Sequence, residues 1–127
     1  MGYAPRVPFP RDDLDLLART EEVRIETSRP DGRRPRTIIW VMTDGEDVFV
    51  RSVRGAKGHW YQAALDDPLV VIHVGGRSIA ARAIPAIDEA SIRRCSEAIR
   101  RKYAGVPGER EMLVATALPT TLRLEPA

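Results

Sequence analysis

Hydrophobic and polar positions alternate with two different periods along this chain, and the short period dominates. Val23, Ile25 and Thr27 alternate with Arg24, Glu26 and Ser28, the period of a half-buried strand. Pro30-Asp31-Gly32 is a strong turn signal. Residues 37–43 (TIIWVMT) are apolar on both sides and predict a central strand. Asp44-Gly45 turns the chain again, and 47–53 (DVFVRSV) predicts a third strand. Two hairpins in such close succession predict an antiparallel meander. A fourth strand at 69–74 and a fifth at 77–87 flank Gly75-Gly76, with Ile79, Ala81 and Ala83 on one side. Residues 112–118 predict a sixth strand, extended by 122–124 beyond Pro119.

The helical period is confined to three segments. Leu14, Leu17 and Ala18 predict a short helix ending near Thr20, with Asp12 and Asp13 at the positive end of its dipole. A second short helix opens at His59, places Trp60, Ala63 and Ala64 on one face, and stops before Pro68. The longest spans 88–104, with Asp88 as N-cap. Its buried stripe is Ile92, Cys95, Ile99 and Tyr103, while Arg93, Arg94, Arg100 and Arg101 lie off it. A doubly wound parallel sheet needs crossover helices between its early strands, and none is encoded. The pattern therefore predicts a mainly β fold, a six-stranded antiparallel barrel, closed or partly closed, with a few helices. All of 1–127 reads as one domain, with the proline-rich stretch 1–10 as a loose N-terminal arm.

Composition narrows the partners. Twenty basic and eighteen acidic residues leave a net charge of +2, so nucleic-acid binding is not expected despite a pI near 9.0. Cys95 is the single cysteine, which fits a reducing compartment and a buried helix position. The N-terminus lacks the apolar core of a signal peptide, and Arg6 breaks the myristoylation pattern begun by Met1-Gly2. No apolar run approaches the ~18 residues of a membrane span. The expectation is a cytoplasmic protein with no membrane partner.

Candidate chemistry concentrates between Val48 and Leu65, a stretch without Asp or Glu that contains Arg51, Arg54 and Lys57. Gly55 and Gly58 let backbone N–H groups turn inward, and a helix begins just afterwards. Cations, backbone donors and a helix N-terminus are the ingredients of a phosphate site, and equally of a solvated basic turn. Arg33, Arg34 and Arg36 form a second cationic group, of which Arg36 is expected to meet residues 51–54 at one barrel edge. Trp60 is expected in the core, whereas Tyr61 could offer its phenol to a pocket and His59 could contact an anion. His73, within an apolar strand, reads as structural, and the two histidines are too isolated for a zinc site. No nucleophile elbow or metalloprotease motif is present, so no hydrolytic machinery is visible.

From about Val23 to Ala83, roughly half of the chain, the sequence resembles the deazaflavin-dependent nitroreductase family and its small bacterial relatives. That family lies within the FMN-binding split-barrel superfamily of pyridoxamine-phosphate oxidases. The features that carry the resemblance begin with Pro35-Arg36-Thr37 before an apolar strand, Asp44-Gly45, and Ser52 with the Gly55–Gly58 loop. Trp60-Tyr61, Leu65, Pro68, the VVIHVGGR run at 70–77 and the Ala-Arg strand after it complete them. Ile38-Ile39 stands where the family has Pro-Leu, and the C-terminal part has few of its tyrosines. The resemblance implies a homodimeric oxidoreductase holding an 8-hydroxy-5-deazaflavin coenzyme or FMN in a groove. It implies hydride transfer to an electron-poor small molecule such as a quinone or nitro compound. Arg36, Thr37, Arg51, Ser52, Arg54, Gly55, Lys57 and Gly58 would then bind the coenzyme, with Tyr61 on the substrate side. The alternative is a non-catalytic split barrel that binds a small cofactor or simply dimerises.

Overall fold

The computed structural model describes residues 7–127. Helix α1 (Arg11–Arg19) precedes strand β1 (Glu22–Glu26), and β2 (Arg36–Trp40), β3 (Met42–Asp44) and β4 (Asp47–Val50) follow. Helix α2 (His59–Asp66) leads into the hairpin of β5 (Leu69–Val74) and β6 (Arg77–Pro85). Helix α3 (Glu89–Lys102) and a stretch of turns separate that hairpin from β7 (Leu122–Pro126). Of the expected loose arm, 1–6 lie outside the described residues, and at its far end Phe9 is buried in the core.

The seven strands form one antiparallel sheet in the order β2-β1-β5-β6-β7-β4-β3. Ile39 of β2 and Val48 and Val50 of β4 nevertheless share one apolar core. These strands lie far apart in the sheet order, so the sheet must curl to bring their inner faces together. The period-two pattern decides which side chains enter: Val23, Ile25, Val70, Ile72, Ile79, Ala81 and Ala83 all point inward. A second core cluster joins the sheet to α3, through Met42 and Phe49 on one side and Cys95, Ile99 and Tyr103 on the other.

Three expectations change. The apolar run 37–43 is not one strand, because the ladder to β1 ends at Trp40 and the ladder to β4 begins at Met42. Val41 lies at the corner between two partners, and its N–H goes to the Tyr103 hydroxyl at 3.3 Å instead of a neighbouring strand. The third strand stops at Val50, so 51–53 leave the sheet. The expected sixth strand at 112–118 is absent: the chain there makes 3₁₀ turns at Arg110–Met112 and Leu118–Thr120. The position beside β6 and β4 is filled by β7, and Thr120 and Thr121 return their hydroxyls to Ala117 and Leu118 carbonyls at 2.6 and 2.8 Å. Local side-chain partners of this kind compete with a ladder. The strand count is therefore seven, because 37–43 splits in two and only 122–126 supplies the last. Among the described residues no helix is long and apolar enough to cross a membrane.

Candidate functional site

Where β4 ends, the chain turns into the core. Arg51 is 1% exposed, and its guanidinium is held on three sides. Nε donates to Thr121 Oγ1 at 2.9 Å, Nη1 to Ser96 Oγ and the Met112 carbonyl at 3.0 Å, and Nη2 to the Ile92 carbonyl at 3.1 Å. Among the described residues no carboxylate lies within ion-pair distance of it. Burial lowers its pKa from the ordinary arginine value, and Arg100 adds to the effect, yet a guanidinium remains protonated. A permanent cation thus sits in the interior with neutral partners only.

The loop that follows is shaped by contacts between its own residues. The Ser52 N–H donates to Thr120 Oγ1 at 2.9 Å, and its hydroxyl to the Gly55 carbonyl at 2.8 Å. Gly55 has φ +65°, and a Cβ there would stand 3.0 Å from the Thr116 carbonyl oxygen. A Cβ on Gly58 would lie 2.4 Å from Ser52 Oγ. Both glycines are therefore required by close approach. The resulting 3₁₀ turn, Gly55–Lys57, leaves Arg54 and Lys57 exposed and delivers the chain to α2, whose N-cap Gly58 has no side-chain cap.

Beside this loop lies a cleft of about 230 Å³. Ile38, Trp40, Val53, Trp60 and Met112 form its walls, and Arg51 lines it from within. Trp40 is held by parallel stacking on Tyr103, with ring centroids 3.9 Å apart. Trp60 is braced edge-on by Tyr61 at 6.2 Å. Around the barrel edge is a wider, open groove of about 560 Å³, lined by Arg24, Arg36, His73, Arg77 and Ser78 among others. Glu22 and Ile38 border both cavities.

The residues expected at one site divide between these places. Arg51, Ser52, Gly55 and Gly58 build the loop and the cleft from inside, whereas Arg54 and Lys57 face solvent on its surface. Tyr61 is buried and packs in the core. Thr37 is half-buried opposite Ile25. Arg36 is on the outer face, 3.3 Å from Glu26, in the groove rather than the cleft. The pairing expected to bring Arg36 to residues 51–54 does not form, since β2 pairs with β1 whereas β4 pairs with β3 and β7; Ile38 and Val53 both line the cleft. Trp40, Trp60 and Met112 were not expected as cleft walls. The visible signal was Pro107-Gly108 after α3, which turns the following segment back over Trp40: a Cβ on Gly108 would be 3.4 Å from the indole. Among the described residues no group of three or more His, Cys, Asp or Glu side chains is placed to hold a metal.

Residues 13–124 match the family described as "Uncharacterized protein conserved in bacteria (DUF2255)". The chain belongs to that family. No curated protein matches this DUF2255 chain. Solved structures do. A candidate pyridoxamine 5'-phosphate oxidase from Listeria innocua is similar with TM-score 0.63 and 15% identity, over 91% of this chain and 90% of that one. The heme storage protein HutZ from Vibrio cholerae is similar with TM-score 0.69 and 10% identity, over 95% and 92%. An F420 reductase is similar with TM-score 0.53 and 17% identity, over 89% and 91%. At these identities the likeness is one of fold: this DUF2255 chain is a split barrel of the pyridoxamine-phosphate oxidase type.

Proposed function

We propose that this chain binds a flavin or 8-hydroxy-5-deazaflavin type coenzyme at the Arg51 cleft and serves, as a cytoplasmic homodimer, as an oxidoreductase toward electron-poor small molecules of the quinone or nitro type. The observation that carries the reading is the buried guanidinium of Arg51, without a carboxylate, at the edge of an aromatic and apolar cleft. Similarity of fold to an F420 reductase and a candidate pyridoxamine 5'-phosphate oxidase supports it.

The residues fit such a group in a particular way. The cleft is smaller than the ~300–1,000 Å³ of pockets that enclose a whole ligand. Trp40, Trp60 and Val53 would hold one edge of a planar ring there. Arg54 and Lys57 stand on the adjoining loop, which has no acidic residue between Val48 and Leu65, while Glu22 lines the cleft itself. Ser52, Gly55 and Gly58 fix that loop's shape. When bound, the coenzyme supplies the hydride chemistry. Arg51 contributes fixed positive potential where negative charge develops on a reduced ring. Tyr61 positions the Trp60 wall. Trp40 and Trp60 exclude water from the ring edge.

Calorimetric titration with FMN and with the deazaflavin coenzyme tests the reading. Charge-assisted hydrogen bonds are worth about 1.5–3 kcal/mol, so Arg54→Ala and Lys57→Ala should each weaken binding about tenfold or more. Circular dichroism should be unchanged. Arg93→Ala, on the exposed face of α3, should bind like the wild type. A wild type that binds neither coenzyme removes the oxidoreductase reading, leaving a barrel that binds another cofactor or only dimerises. Loop variants that bind as the wild type does would remove the site.

A further inference from the structure

Three side chains from β1, β5 and β6 meet on the outer face of the sheet, 52 positions apart in sequence at the extremes. The three are Glu26, His73 and Ser78: His73 is directly opposite Ser78 on one side and Arg24 on the other, and Glu26, two residues beyond Arg24, points the same way. Ser78 Oγ lies 3.1 Å from His73 Nδ1, and His73 Nε2 lies 2.8 Å from Glu26 Oε1. Arg34, and after it His73, hold the Glu26 carboxyl below its usual range through hydrogen bonds. An ionised Glu26 can only accept, which assigns the imidazole proton to Nε2 and turns the Nδ1 lone pair toward the Ser78 hydroxyl. This is the hydrogen-bond order of a nucleophile, a base and an orienting carboxylate.

The surroundings add a preference. The chain opens here into the groove of about 560 Å³, lined by Arg24, Arg36 and Arg77, with Glu22 its only lining carboxylate among the described residues. Arg77 is paired with Asp13 at 2.7 Å and Arg36 reaches Glu26 at 3.3 Å. Arg24 makes no ion pair among the described residues.

We propose that Ser78, His73 and Glu26 form a second reactive site, which hydrolyses carboxylic esters whose acyl chain carries a negative charge. Ser78 Oγ attacks the ester carbonyl carbon as its proton passes to His73 Nδ1. The carbon–oxygen bond to the alcohol breaks, and the departing oxygen takes that proton. Water then attacks the acyl-serine, giving its proton through Nδ1 back to Ser78 and releasing the carboxylic acid. No electrons change hands, and the site is independent of the coenzyme cleft. Glu26 and His73 orient and accept; Arg24 binds the acyl charge.

The test uses the 4-nitrophenyl monoester of adipic acid against neutral 4-nitrophenyl hexanoate. The protein should release nitrophenol above the buffer rate and prefer the adipate. Ser78→Ala, an exposed and conservative change, removes the nucleophile and with it the acyl-serine path, so the rate should fall to that of buffer. Arg24→Gln should lower the adipate rate and spare the hexanoate rate. Diisopropyl fluorophosphate should mark Ser78, read by peptide mass spectrometry, and His73→Gln should abolish the adduct. Ser78→Ala that is folded by circular dichroism and keeps the wild-type rate would overturn the proposal. So would a wild type no faster than buffer whose Ser78 stays unmodified. Coenzyme titration of Ser78→Ala separates the two sites, since its binding should match the wild type whichever way the ester assay falls.

Discussion

A guanidinium cannot shed its charge to suit a core, so Arg51 must be satisfied where it lies. Its partners are two hydroxyls and two carbonyls drawn from β7's approach, α3 and the turn at Met112. Arg51→Met would leave those four groups without their donor, at about 1–3 kcal/mol for each one left buried and unsatisfied. Urea unfolding should therefore show a loss of about 3 kcal/mol or more, whereas Arg54→Ala, on the surface, should change stability by no more than about 0.5 kcal/mol. In sequence the two arginines look alike, three residues apart in one acid-free stretch. The difference is decided by Ser96, Met112 and Thr121, whose proximity to Arg51 only the folded chain reveals. Lys102 is a second cation drawn in from solvent. Its ammonium donates to the Leu17 and Val41 carbonyls at 2.9 and 2.7 Å, and burial pushes its pKa from 10.5 down to about 8. Between those values the unfolded chain holds a proton that the folded chain has released, so raising the pH through this window favours folding. Burial raises Cys95 from 9.0 to about 11 and Tyr103 from 10.0 to about 12, and both act in the opposite sense at higher pH. Comparison with Lys102→Met isolates the lysine: from pH 7 to 9.5, urea unfolding should show the wild type gaining stability relative to the variant.

Among the elements, the hairpins were legible and the connections were not. The period-two runs place β1, β5 and β6 within a residue or two, because each has one face on the core and one in water. The run at 112–118 is as apolar as a strand, yet hydrogen bonds such as Ala117 N–H to the Val114 carbonyl at 2.9 Å close it into turns. Of that run only Met112 and Ala117 are buried and Val114 is exposed, so its hydrophobicity marks neither a strand nor a continuous buried face. The Ser52–Gly58 loop shows the same limit. Its glycines suggested a cradle for an anion, and in the fold they accommodate Ser52 and Thr116. Gly58→Ala should lower stability by about 1–2 kcal/mol, as overpacking does. Adding Ser52→Ala removes the atom it meets, so the double variant should be more stable than additivity of the single changes allows. Urea unfolding of the four proteins in the cycle measures that coupling, and strict additivity would mean that the contact is relieved elsewhere.

For the whole molecule, the large aromatic side chains supply no reason for association. Phe49 and Trp60 are buried within one chain, and Trp40 rests on Tyr103. Among the exposed apolar side chains, Ile38 at 56% and Val53 at 53% both line the cleft. Apolar side chains left at the mouth of a site are a surface that a second copy would cover. Light scattering should give twice the chain mass at tens of micromolar, and Val53→Glu should shift it toward one chain. A wild type of single-chain mass at high micromolar concentration would count against the dimer.

Strand β7 has a consequence for how the protein comes into being. It pairs with β6 on one side and β4 on the other, and so joins the four-strand block to the β3–β4 hairpin. On the ribosome it is made after every strand it joins. Until Leu122–Pro126 emerges, both flanking strands present open edges, and Thr121 is not yet available to Arg51. From the completion of β6 at Pro85 until Leu122 is added, the nascent chain therefore holds two unjoined pieces with unpaired backbone, the condition in which strand edges find the wrong partners. Aggregation during expression should depend on how soon β7 is released, and a ribosome stalled shortly before residue 122 would hold the protein at its most vulnerable.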